Sequence, residues 1–125
     1  MKEPWTFPKI ITENIQFTYS EAAKCSEEYI LHCHNYYEIY YFLEGSVDYL
    51  VEGHKYRPEP GSILLLSLNA FHGFRVRQEG LYRRIALHFT PKVLPLEHRA
   101  LLLSIFPEVS QEPRQNIYFT NVRLF

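Results

Sequence analysis

Two Glu-Gly pairs, Glu44-Gly45 and Glu52-Gly53, stand eight residues apart with β-branched and aromatic residues on both sides. That is hairpin spacing, and it commits the middle of the chain to an antiparallel meander. The runs those turns join are Glu38 to Leu43, Val47 to Val51 and the short His54 to Tyr56. Arg57-Pro58-Glu59-Pro60-Gly61 then breaks the ladder, because proline has no backbone N–H to give and glycine supplies a turn. Further strands are read at Ser62 to Leu66, His72 to Val76 and Tyr82 to Phe89, with a loop at Ser67 to Phe71 and a turn at Arg77-Gln78-Glu79-Gly80. Upstream, an extended arm leads into an alternating strand at Ile15 to Tyr19, and Tyr29 to Leu31 leads into His32. Seven or eight short strands at even spacing predict an all-β sandwich or barrel, which removes exposed sheet edges.

The pattern changes after Thr90-Pro91. Leu96 to Phe106 predicts one helix, with Leu96, Ala100, Leu103 and Ile105 on one side and Glu97, His98 and Arg99 opposite. Pro107 ends it, and Asn116 to Phe119 reads as extended. The helix is expected to cover Ile39, Tyr41 and Leu43, the outer face of the Glu38 strand. The 125 residues predict a single domain, with a barrel core at about 10–90 and a trailing helix and extended segment at 91–125. An apolar Leu124-Phe125 end predicts a fragment of something longer.

Thirteen Lys and Arg against fourteen Asp and Glu give a net charge of -1, with basic residues grouped only around Arg75, Arg77, Arg83 and Arg84. Nucleic-acid binding by this chain alone is not indicated, since phosphate contacts call for a basic face. Two cysteines, Cys25 and Cys33, make no disulfide framework, and the N-terminus has no secretory apolar core. A reducing cytoplasm is the default. No apolar run approaches the ~20 residues that cross a bilayer.

The chemistry gathers at His32-Cys33-His34-Asn35-Tyr36-Tyr37-Glu38. Strand alternation sends His32 and His34 to one face, and a tight turn at Asn35 to Tyr37 lets Glu38 join them. His72, at the start of a later strand, can be brought across by a barrel. Imidazoles with a carboxylate suit one divalent transition ion, Zn, Ni, Fe or Mn, without choosing among them. The competing reading makes the histidines polar core residues satisfied by Glu38 and tyrosines.

His32, His34, Glu38 and Gly45 form H-x-H-x3-E-x6-G, which resembles the first motif of the cupin superfamily. Gly61 and His72 match its second motif, G-x5-P-x-G-x2-H-x3-N, while Ser67, Asn69 and Val76 replace the proline, glycine and asparagine. Ser26 replaces the glycine that opens the first motif. All four presumed metal positions, His32, His34, Glu38 and His72, are filled.

Within that superfamily, HCHNYYEIYYFLEGSVDYLVEGHKYRPEPGSILLLSLNAFHGF and YRRIALHFTPKVL resemble the N-terminal sensor domain of AraC-type bacterial transcription regulators, over Tyr29 to Leu94 or about half of the chain. The resemblance implies a double-stranded β-helix, the cupin jelly-roll barrel, that is non-catalytic and forms a homodimer. It implies a small-molecule effector inside the barrel, a sugar or another small polar or aromatic compound. DNA would be contacted only through a helix-turn-helix domain expected beyond Phe125.

Parity with Glu38 turns Tyr40 and Phe42 inward, and parity with His72 does the same for Phe74 and Val76. The resemblance adds Arg84, Ala86 and His88. Of these, Tyr40, Phe74, Arg84 and His88 are the expected effector contacts. An inward Arg84 needs a carboxylate, from a ligand or from Glu38, unless it snorkels out of the barrel mouth. The alternative class is a small metal-dependent cupin enzyme of dioxygenase or isomerase type, built on the same four metal positions. No Gly-x-Ser-x-Gly supports a serine nucleophile.

Overall fold

The computed structural model of the chain describes residues 6–22, 28–106 and 117–121. Its strands are β1 (Thr6–Ile11), β2 (Ile15–Ala22), β3 (Ile30–His32), β4 (Tyr37–Glu44), β5 (Val47–Val51), β6 (His54–Tyr56), β7 (Ser62–Leu66), β8 (His72–Val76), β9 (Tyr82–Phe89) and β10 (Tyr118–Phe119). Every pairing is antiparallel, in a six-stranded sheet ordered β1-β2-β9-β4-β7-β10 and a four-stranded sheet ordered β3-β8-β5-β6. The all-β expectation holds, but the meander does not: Glu52-Gly53 closes the β5–β6 hairpin, whereas Glu44-Gly45 carries the chain from β4 in the larger sheet to β5 in the smaller one, which do not pair. The extended arm is a strand in its own right, β1, paired with β2.

The β5–β6 hairpin turns on Glu52 and Gly53, both at positive φ (47° and 80°), the two-residue geometry whose twist matches the strands it joins. Glu52 is anchored there: its Oε1 accepts the Phe71 N–H at 2.7 Å, and its own N–H donates to the Phe71 carbonyl at 2.8 Å. The turn therefore also fixes the loop that delivers His72. Asn69, which replaces the motif glycine, sits at φ 61°, in the left-handed region that asparagine tolerates best after glycine.

Cross-strand partners share a face, so register defines the interior. Glu38, Tyr40 and Phe42 of β4 lie opposite Leu66, Leu64 and Ser62 of β7 and opposite His88, Ala86 and Arg84 of β9. The facing sheet contributes His72, Phe74 and Val76 of β8 beside Val51, Tyr49 and Val47 of β5. The Tyr40 and Tyr49 rings meet across the barrel at 4.6 Å between centroids, and Phe74 meets Tyr82 at 5.1 Å. Tyr40, Phe42, Val47, Tyr49, Leu64, Leu66 and Tyr82 are buried in this inner core.

A second core lies on the outer side of the large sheet. Phe89 is buried there with Phe106, while Tyr37 stacks on Phe89 and meets Phe106 edge-on at 5.1 Å. Leu94 and Leu103 pack against the same group.

The helix expected over Leu96 to Phe106 is much shorter. A 3-10 turn at Leu96–His98 runs into a five-residue α-helix, α1 (Arg99–Leu103). Neither start has a side-chain cap, and the Ser104 hydroxyl donates to the Leu101 carbonyl at 2.6 Å where the helix stops. Three residues of its expected buried side, Leu96 (76% exposed), Ala100 and Ile105 (56%), face solvent. Leu103 and Phe106 cover the sheet instead. Ser26, Asn116 and Leu124-Phe125 lie outside the described residues.

On the outer face of the smaller sheet, Asp48 is fully buried among guanidinium groups, 2.7 Å from Arg75, 3.0 Å from Arg57 and 3.8 Å from Arg77. Burial alone would raise its carboxyl, but hydrogen bonds from Arg75 and Arg57 outweigh that and hold it below the ordinary aspartate value. A depressed carboxyl stabilises the fold above its unfolded-state value, about 3.9, and that contribution is lost as pH falls through the folded value. Asp48→Ala is expected to cost about 2 kcal/mol at pH 7, its arginines being partly solvated, and to flatten the acid limb of a chemical-denaturation stability profile. Equal stability of both proteins from pH 7 to pH 3 would rule this out.

Candidate ligand and metal site

Four elements aim side chains at one end of the barrel. His32 ends β3, His34 follows it in a loop pinned by the Asn69 N–H to the His34 carbonyl (2.9 Å), Glu38 lies in β4 and His72 opens β8. The structure brings all four proposed metal positions together. His34 has left strand geometry, so the loop, and not simple alternation, turns it inward.

Glu38 Oε1 is the centre of the group. His88 Nε2 lies 2.8 Å from it and His34 Nε2 3.2 Å, both as hydrogen bonds, and His72 Nε2 lies 3.3 Å away without hydrogen-bond geometry. Burial would raise the Glu38 carboxyl, yet the His34, His72 and His88 imidazoles outweigh it and hold the group well below the usual carboxylate range. His32 is held below its ordinary value, by burial first and by the facing His72 second, which favours the neutral ring.

His72 gives the sharpest test of whether an ion fits. Its Nδ1 donates to the Ala70 carbonyl at 2.7 Å, so a neutral ring turns the Nε2 lone pair toward the Glu38 carboxylate. That Nε2 is buried and has no hydrogen-bond partner among the described residues, as is true of His34 Nδ1. Two lone pairs facing each other require a proton or a cation between them. A carbonyl fixing the tautomer is also the usual outer support of a metal-binding histidine. His32, His34 and His72 form one set whose ligand atoms lie within 4.8 Å of one another, and His34, Glu38 and His88 form a second. The residues present fit a divalent ion.

His88, expected among the effector contacts, belongs to this cluster by position. Tyr40 is 2% exposed and its hydroxyl shares a 2.6 Å hydrogen bond with that of Tyr82, whose own hydroxyl burial pushes up to about 12. Arg84 turns inward and lies over two rings, 4.4 Å from the Tyr82 centroid and 4.9 Å from that of Phe74. It makes no ion pair with Glu38.

One wall went unread in the sequence. β2 pairs Gln16 with His88, Thr18 with Ala86 and Ser20 with Arg84, so its polar residues share the inward face and Ile15, Phe17 and Tyr19 turn outward. The interior therefore has a hydrogen-bonding side at β2 and β9 and, apart from Glu38 and Ser62, an apolar side at β4 and β7. The inward Arg84 and His88 expected on β9 were the signals for that side.

The family model for the AraC-like ligand binding domain matches residues 14–121. A cupin superfamily protein from Desulfitobacterium hafniense DCB-2 is similar in structure, with a TM-score of 0.59 and 12% identity over 70% of this chain and 77% of that one. So is a Streptococcus pyogenes protein of unknown function, with a TM-score of 0.60 and 12% identity over 71% of this chain and 75% of the other. The DMSP lyase DddQ of Ruegeria pomeroyi DSS-3 matches with a TM-score of 0.55 and 22% identity over 63% of this chain and 40% of its own. These likenesses establish the cupin fold. No curated protein matches the chain significantly. Among the described residues no helix is long and apolar enough to cross a membrane.

Proposed function

The chain belongs to the AraC-like ligand-binding domain family, and from that premise we propose that it senses a small effector inside the barrel and controls DNA binding by a helix-turn-helix domain encoded beyond Phe125. The divided interior carries this reading. Gln16, Thr18, Ser20 and Arg84 turn polar groups into a barrel whose other wall is aromatic and aliphatic. Inward polar groups are costly unless something meets them, and a small molecule with polar and apolar sides does so. Tyr40, Phe74 and Arg84 are its proposed contacts, with the His88 imidazole at the border of the metal cluster.

His32, His34, Glu38 and His72 would hold one divalent ion, with His88 as the further support of Glu38. Such an ion, when bound, supplies a Lewis-acidic anchor for an oxygen of the effector. The protein's own contribution is to orient the rings, through Ala70 and the Asn69 loop, and to surround them with buried aromatics. Leu96, Leu101, Leu102 and Ile105, all exposed, offer an apolar surface for a homodimer.

The test is the natural reading frame and its product. A basic, helical region of ~100 or more residues after Phe125, and a dimer whose affinity for paired DNA half-sites changes at least about tenfold with effector, are expected. The intact ligand set favours the enzyme reading as a second choice. A frame that stops at Phe125, with metal-dependent turnover by the purified chain, would replace the sensor with the enzyme.

A further inference from the structure

We propose that the molecule taken into this barrel is a small monocarboxylic acid, its carboxylate bound by Arg84. The inference rests on the reading of the barrel as an effector site and specifies the ligand's chemistry.

Arg84 is an inward cation with an unmet valence. The Phe74 and Tyr82 rings hold its guanidinium carbon at 4.9 and 4.4 Å, contacts that use the cation's charge but none of its N–H hydrogen bonds. Nη1 is buried and finds no hydrogen-bond partner among the described residues. Arg57, Arg75 and Arg77 all meet Asp48, and the adjacent Arg83 meets Glu44 at 3.2 Å. Arg84 meets no carboxylate of the described protein. Removing a guanidinium from water without an anion is expensive, and cores do not keep such a group by default.

Among the described residues no inward-facing carboxylate is free to supply the anion. Glu38, which shares the inward face, has its Oε1 engaged by the histidines at the far end of the row. Between Arg84 and His88, β9 presents only the methyl group of Ala86 to the interior. Ser20 lies opposite Arg84 in the register and can add a hydroxyl donor to the same carboxylate.

Charge and shape narrow the class. One guanidinium, with no second arginine or lysine on the inward faces of β9, β4 or β8, matches a single negative charge better than the two of a phosphate monoester. The neighbouring Phe74, Tyr49 and Tyr40 rings suit a flat or short apolar remainder.

The experiment titrates the chain calorimetrically with benzoate and hexanoate, their amides benzamide and hexanamide, inorganic phosphate, and glucose as a neutral polyol. At least one acid is expected to bind, its amide at least about tenfold more weakly. Arg84→Gln should weaken the acid at least about tenfold and leave the amide unchanged. Without ligand, Arg84→Gln and Arg84→Met should melt at or above the parent temperature, because each removes an unpaired buried donor. Equal binding of acid and amide, tighter binding of phosphate, or acid binding indifferent to Arg84→Gln overturns the proposal, as does a sharp loss of stability in both variants, which would make the guanidinium structural. Glucose or amide binding without preference for acids removes the carboxylate and leaves the sensor reading standing. Silence from every probe counts against both.

Discussion

Gly45→Ala is expected to lower the stability of the domain by about 3 kcal/mol and its melting temperature by roughly 12 °C. Gly45 sits at φ 132°, where side chains are strained, and a Cβ placed on it would lie 3.0 Å from the Tyr82 Cα and 3.1 Å from the Leu81 carbonyl oxygen. Both obstacles are backbone of β9 or its approach, so neither can swing aside. Gly80 makes the matched control, with φ 145° and nothing within 4 Å of its Cβ position. Gly80→Ala should therefore show the conformational cost alone, about 1 kcal/mol. Denaturant melts of the two variants decide the matter: equal losses would mean that the close approach of Gly45 to β9 carries no energy.

The second large effect concerns the histidine cluster. A divalent ion at 100 times its dissociation constant should stabilise the parent by about 2.7 kcal/mol, since it binds only the folded chain. Ni or Zn added to chelator-treated protein reads this as a rise in melting temperature, and elemental analysis reads the stoichiometry. His32→Ala is the cleaner variant, because His32 is exposed and its loss leaves no cavity. His72→Ala removes a ring that is 1% exposed and so carries a stability cost of its own. Each should weaken binding by about 100-fold or more. Metal content and thermal shift identical in parent and His32→Ala would leave a proton, shared between His72 and Glu38, as the species that reconciles their facing lone pairs.

Most turn positions were legible in the sequence because they depend on local covalent geometry, and the meeting of His32, His34, Glu38 and His72 was legible through the motif they share. Glu52-Gly53 sets the β5–β6 register, and strand parity turns Glu38 of one sheet and His72 of the other into the same interior. Asn69 could replace a motif glycine because its backbone needs only a tolerated left-handed residue. Two features were not legible. The Ile15, Phe17 and Tyr19 alternation of β2 looks like an inward face, yet the large sheet has apolar material on both sides and the inside of β2 is its polar row. The helical periodicity of Leu96 to Phe106 likewise overstates α1, because periodicity records which residues are apolar and not whether caps exist to sustain a helix.

The two cores share one thickness of backbone. In β9, His88 reaches the Glu38 carboxylate while Phe89, the next residue, packs on Phe106; in β4, Glu38 faces inward while Tyr37, the residue before it, stacks on Phe89. A single peptide bond in each strand therefore separates a side chain of the histidine cluster from one packed in the aromatic group around Phe106.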